Sequence, residues 1–108
     1  MKTYVFDIDG TICTPVDHGD YTKSKPYKHR INKINDLYDQ GNKIIFHTAR
    51  GMGRYGNAAS IAHAAFYNIT VKQLKSWGVK YSSLYMGKPS GDVYIDDKGV
   101  KDEDFFNT

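Results

Sequence analysis

The sequence has one cysteine, Cys13, and one glutamate, Glu103, among its 108 residues. A single cysteine excludes an internal disulfide and a zinc site built from several thiolates. No apolar run approaches the roughly 18 residues that a membrane-spanning helix needs, so no membrane partner is expected. Acidic residues occupy the N-terminal stretch where a secretory signal would be apolar, which predicts a cytoplasmic protein.

The residues that are present are typical of a globular protein. With 40% hydrophobic and 25% charged residues, the chain predicts one domain over residues 1–108. The net charge of +3 is too small for the basic surface of a nucleic-acid-binding protein, so nucleic acid is not an expected partner. Eleven of the twelve acidic residues are aspartate, which favours turns and strand ends and is a good magnesium ligand.

Apolar periodicity predicts alternating strands and helices. We expect strands at 2–6, 43–47, 83–86 and 93–95, and helices at 27–40, 57–66 and 71–77, the last with Thr70 as its N-cap. Residues 11–26 are rich in polar residues, proline and glycine and predict a small flap or loop. The acidic tail after Gly99 is expected to be loosely held. This order predicts an α/β fold, a three-layer Rossmann-like domain with a mostly parallel central sheet.

Polar residues follow every predicted strand, and parallel sheets bind ligands at the carboxyl ends of their strands. These residues are Asp7 and Asp9, Thr48 and Arg50, Lys88, and Asp96 with Asp97. Four carboxylates at one edge repel one another unless a cation lies between them, and oxygen ligands favour magnesium over zinc. A lysine and a threonine beside such a cation suit a phosphoryl group.

The same residues resemble the four motifs of the haloacid dehalogenase-like phosphohydrolases. Residues 7–11, Asp-Ile-Asp-Gly-Thr after a strand, are similar to the first motif. Thr48 is similar to the second motif, Lys88 to the third, and the pair Asp96–Asp97 to the fourth. The resemblance covers residues 5–97, which is nearly the whole chain.

This resemblance implies a role for each motif residue. Asp7 would be the nucleophile that forms an aspartyl-phosphate, and Asp9 the general acid and base. Thr48 and Lys88 would hold the phosphoryl group. The Mg²⁺ ligands would be Asp7, Asp9 through its backbone carbonyl, Asp96 and Asp97. The implied function is a magnesium-dependent phosphatase that acts on a phosphomonoester, with hydrolase and phosphotransferase both left open.

Three further residues lie near these motifs. Arg50 either contacts the substrate or pairs with an acid to hold its loop. His47 should point away from Thr48 by strand alternation, which predicts a packed core histidine. His18, in the predicted flap, is expected to be a surface residue, with a place at the site entrance as the alternative.

No cap domain is predicted, because residues 11–26 hold only a flap and helices and a strand occupy the stretch between Thr48 and Lys88. An uncapped site is open, so it either serves bulky substrates or borrows a wall from a partner subunit. Our first hypothesis for the substrate is a small metabolite or sugar phosphate, because parts of the chain resemble small cap-less proteins of bacterial polysaccharide and capsule pathways. The alternatives are a phosphatase of nucleic-acid ends or phosphoproteins, and a non-enzymatic phosphate-binding module.

Overall fold

A computed structural model describes residues 1–16 and 19–107 of the chain. Its elements are β1 (Thr3–Phe6), a short 3₁₀ helix (Tyr21–Lys23), α1 (Lys28–Asp39), β2 (Lys43–Thr48), α2 (Ala59–Ser76), β3 (Ser83–Met86) and α3 (Asp102–Phe106). The strands pair in parallel in the order β1-β2-β3. The predicted α/β class and Rossmann-like parallel sheet are confirmed, and no cap domain interrupts the described residues. None of the helices described is long and apolar enough to cross a membrane.

The two faces of the sheet differ in what covers them. Phe6, Ile44 and Phe46 share one face and are buried in a core with apolar residues of all three α-helices. The connections β1–α1–β2 and β2–α2–β3 both lead to the next strand in the same direction across the sheet. Because connections between parallel strands are right-handed, both helices lie on the same face of the sheet. On the other face Val5 is 61% exposed and Tyr85 56% exposed. The described residues therefore form two of the three expected layers.

One predicted break in a helix is wrong. Helix α2 runs without interruption from Ala59 to Ser76, so the expected helices 57–66 and 71–77 are a single element. Thr70 does not cap it, because its hydroxyl donates to the Phe66 carbonyl one turn earlier at 2.8 Å. Because this bond satisfies the hydroxyl within the helix, Thr70 does not act as an N-cap and the helix continues through it.

The predicted fourth strand is also wrong. Residues 93–95 form no strand, and Ile95 is 94% exposed. The tail beyond it is not loosely held, since α3 buries Phe106 in the core. The Phe105 and Phe106 rings lie 5.5 and 6.0 Å from the ring of Phe6. The two aromatic residues thus anchor the end of the chain that its acidic composition suggested would be free.

Candidate active site

Asp7 lies directly after β1, at the carboxyl end of the sheet, and a third of its side chain is exposed. The Lys88 ammonium lies 3.7 Å from its Oδ1 atom. Lys88 reaches this place because its own N–H donates to the Thr48 carbonyl, which continues the β2–β3 pairing by one bond. Burial raises the pKa of Asp7, and the positive charge of Lys88 opposes that rise. The first and third motifs therefore meet as predicted.

Asp9 has a different environment two residues later. Arg50 donates to both of its carboxylate oxygens, from Nε to Oδ2 and from Nη2 to Oδ1, each at 3.0 Å. Arg50 is only 1% exposed, donates from Nη1 to Thr70 and stacks its guanidinium 4.6 Å from the centre of the Tyr21 ring. Arg50 was expected either to contact a substrate or to pair with an acid. The structure supports the second interpretation, because Arg50 is buried and bound to Asp9.

Thr48 is fully buried, unlike the exposed ligand that the second motif implies. Its hydroxyl accepts the N–H of Arg50 at 3.1 Å. Strand alternation places its side chain on the core face with Phe46. The structure therefore brings the Thr48 backbone to Lys88 but leaves the Thr48 hydroxyl inside the core.

His47 projects from the opposite face of β2, as alternation predicts, but it is half-buried and does not belong to the core. Burial lowers its pKa, the Lys88 charge lowers it further, and Asp7 acts in the other direction. His47 is thus a neighbour of the Asp7–Lys88 pair, and its prediction as a packed core residue is wrong. The position of His47 beside Asp7 follows from the register of the parallel strands. Phe6 pairs with Phe46, so the next residues, Asp7 and His47, lie level with each other.

Tyr21 is a contributor to the site that the sequence did not single out. Besides lying against Arg50, its hydroxyl accepts the N–H of Gly51 at 3.1 Å. Gly51 has a φ of +78°, and a Cβ there would come within 2.6 Å of the Phe66 ring. The flap and the turn after β2 are therefore locked together around Arg50. His18, the flap residue considered for the site entrance, lies outside the described residues.

Asp96 and Asp97 are not brought to Asp7. Both are exposed, and Asp96 accepts the N–H of Lys98 at 3.0 Å, which helps to lower the Asp96 pKa. The reason is the absent fourth strand, which was expected to carry them to the sheet edge. Among residues 1–16 and 19–107, no three acidic, histidine or cysteine side chains form a metal-binding group. The described side chains of a single copy therefore do not assemble a group of oxygen ligands for Mg²⁺.

The surroundings of Asp7 are open. A cleft of about 290 Å³ lies beside the first motif, and its walls are Gly10, Tyr27, Arg30, Asp102 and Glu103. Neither Asp7 nor Lys88 lines this cleft. This cleft therefore does not lead to the Asp7–Lys88 pair, and the exposed third of the Asp7 side chain is where an incoming molecule would meet it.

Comparison with known proteins gives one clear relationship. No family model and no curated protein matches the sequence. A crystal structure of a target protein from Vibrio cholerae is 27% identical and superposes with a TM-score of 0.90. The match covers 100% of this chain and 89% of that chain. The fold described above is therefore shared with a solved structure over its full length.

Proposed function

We propose that the protein hydrolyses phosphomonoesters with Asp7 as the nucleophile. The observation that carries this proposal is the Asp7 carboxylate at the end of β1, partly exposed and 3.7 Å from the Lys88 ammonium. A carboxylate attacks phosphorus when a nearby cation offsets the negative charge of the phosphoryl group. The resemblance of residues 7–11 and of Lys88 to the phosphohydrolase motifs supports the same assignment.

The reaction has two steps. An oxygen of Asp7 forms a bond to phosphorus, and the bond from phosphorus to the ester oxygen breaks, with its electron pair leaving on the alcohol, which takes up a proton. Water then attacks the phosphorus of the aspartyl-phosphate, loses a proton, and releases phosphate and the Asp7 carboxylate. Lys88 contributes a fixed positive charge to both steps.

The proposed acid in the first step and base in the second is Asp9. Both of its carboxylate oxygens accept N–H groups of Arg50, at 3.0 Å each. Each of these oxygens has a second lone pair, which can take up or release the proton while the hydrogen bonds to Arg50 remain. The Asp9–Arg50 pair also has a positioning role, because it fixes the loop that carries Asp7.

The resemblance also implies magnesium, but residues 1–16 and 19–107 of one copy bring together no group of side chains that would hold it. The two steps above accordingly use only Asp7, Lys88, Asp9 and water. The proposed substrate is a small phosphorylated metabolite, such as a sugar phosphate.

The experiment is a phosphate-release assay with p-nitrophenyl phosphate and a panel of sugar phosphates, with Mg²⁺ or with excess EDTA. We expect turnover of the wild type, and a loss of about a thousandfold or more in Asp7→Asn, which keeps the shape but cannot attack phosphorus. Asp36→Asn, an exposed aspartate on α1, is the matched control and should be unaffected. Full turnover by Asp7→Asn would overturn the proposal. Turnover confined to phosphopeptides or nucleic-acid ends would favour the macromolecular alternative.

A further inference from the structure

The first observation is an unpaired strand edge beside the candidate nucleophile. The sheet order β1-β2-β3 leaves one edge of β1 without a partner strand among the described residues. Val5, in the middle of β1, is 61% exposed. An edge of this kind presents free N–H and C=O groups and is a template for another strand.

The second observation is an exposed segment with the composition of a strand, residues 93–97, which we name the DD segment. It reads Val-Tyr-Ile-Asp-Asp, and its three apolar residues are exposed, Ile95 at 94%. β-branched and aromatic residues favour strands and are seldom left open to water as a run. The hydrogen bonds of Tyr94 are local, with Gly91 and Pro89, and its ring lies 4.4 Å from the Lys88 ammonium.

The DD segment is too close in sequence to β3 to pair in parallel with β1 of its own chain. Only residues 87–92 lie between them, whereas a connection between parallel strands needs about a dozen residues or more. From the end of β3 the chain would have to pass over β2 and β1 to reach the free edge, a distance of about 14 Å across the sheet. It would also have to return from the carboxyl end to the amino end of the sheet before the new strand could begin. Fully extended, it reaches about 25 Å, too little to clear the side chains of the sheet and reverse direction. An antiparallel pairing would place Asp96 and Asp97 at the wrong end of β1.

We propose that the DD segment adds as a fourth parallel strand to β1 of a second copy of this chain, and that each copy thereby supplies Asp96 and Asp97 to the other's Asp7. The inference deepens the proposed function and rests on it for the role of the site. Five residues, 93–97, match the length of β1 extended to Asp7. In that register the two aspartates lie at the carboxyl end, level with Asp7, and add the two carboxylates that the described residues of one copy do not bring to Asp7.

Helix α3 moves with the DD segment in this exchange. Its contacts are with β1 and α1, since Phe106 packs on Phe6 and Asp102 binds Arg30 at 2.7 Å. These groups lie beside the same free edge, so α3 of the second copy makes the same contacts there. Exchange of an identical element preserves the contacts of α3, and the new strand pairing replaces the contact between the Tyr94 ring and Lys88. The hinge is the exposed stretch 89–92, which contains Gly91.

The first test is the oligomeric state by light scattering after gel filtration. We expect the wild type to be a dimer or a larger closed oligomer, and Ile95→Asp to be a folded monomer with unchanged circular dichroism. Ile61→Asp, at an exposed isoleucine of α2, is the control and should keep the wild-type mass. A monomeric wild type, or an Ile95→Asp variant that keeps the wild-type mass, overturns the exchange.

The second test is complementation between two inactive variants, Asp7→Asn and Asp96→Asn, refolded together from urea. In a mixed dimer one site combines an intact Asp7 with an intact Asp96 from its partner. Random pairing then restores about a quarter of the activity of refolded wild type. No recovery overturns the exchange while the proposed function stands. An oligomeric but inactive wild type that Ile95→Asp dissociates supports the exchange and removes the proposed function.

Discussion

Asp7 and Asp9 lie two residues apart in one loop, yet each has a different kind of cationic partner. Asp9 is held by two hydrogen bonds from a guanidinium that is 1% exposed. Asp7 faces a single ammonium at 3.7 Å, and both side chains of that pair are partly exposed. A planar guanidinium fixes both oxygens of a carboxylate, whereas an ammonium on a flexible stem acts as a movable point charge.

The difference separates the carboxylate that fixes the loop from the one that is free to react. The Asp9–Arg50 pair also joins the first motif to α2 through Thr70 and to the flap through Tyr21. Asp7 has one oxygen near Lys88 and is otherwise open to an incoming group. Residues 7–9 thus combine a rigid support with a partly exposed carboxylate, which the proposed function uses as its nucleophile.

The largest effect on stability is expected from Arg50→Met. The substitution leaves the carboxylate of Asp9 largely buried without its partner, which destabilises a protein by about 3 kcal/mol or more. Urea unfolding followed by circular dichroism measures the free energy of unfolding. Lys80→Met is the control, because the Lys80–Asp39 pair is about half exposed and should contribute less than about 1 kcal/mol. Equal losses in the two variants would show that Arg50 does not support the loop.

Lys88→Ala is expected to act on the reaction while leaving the fold intact. Loss of the ammonium beside Asp7 should lower kcat/KM about 10- to 100-fold, because the charge on the phosphoryl group is then uncompensated. The urea midpoint should stay close to that of the wild type, since the pair is partly exposed. Lys98→Ala is the control and should be nearly neutral. A greater loss of turnover in Lys98→Ala than in Lys88→Ala would show that the assignment of the third motif to Lys88 is wrong.

The smallest effect is a gain in stability for Asp7→Asn. Because burial raises the pKa of Asp7, its ionised form destabilises the folded state above that raised pKa, and the amide removes this penalty. The thermal midpoint of Asp7→Asn should exceed that of the wild type at pH 7. The difference should shrink as the pH falls through the raised pKa and vanish below the ordinary value of 3.8, where Asp7 is protonated in both states. A constant difference across this range would contradict the role of burial.

The sequence predicted the first three strands and α1 to within about a residue or two, because their apolar periods are clear and glycines follow β3 and α1. It predicted that Asp7 and Lys88 would meet, since both follow strands of one parallel sheet. It could not resolve the role of Arg50, because an arginine in a turn has the same sequence signal whether it binds a substrate or an aspartate. The prediction of a fourth strand was wrong because only six residues separate β3 from residues 93–95. The composition of residues 93–95 is typical of a strand, but composition does not show whether the connection is long enough.

The small size of α3 has a consequence for the order in which the molecule opens. A helix of five residues carries little stability of its own and is held by the Phe105 and Phe106 rings, an ion pair to Arg30 and a hydrogen bond from Lys33 to the Phe105 carbonyl. Closing a loop of 72 residues between Arg30 and Asp102 makes this docking a late event in folding. By the same reasoning it is an early event in local unfolding, which leaves the sheet and α1 in place. Opening of α3 alone is therefore expected to free the last residues without global unfolding, as the proposed exchange between copies requires.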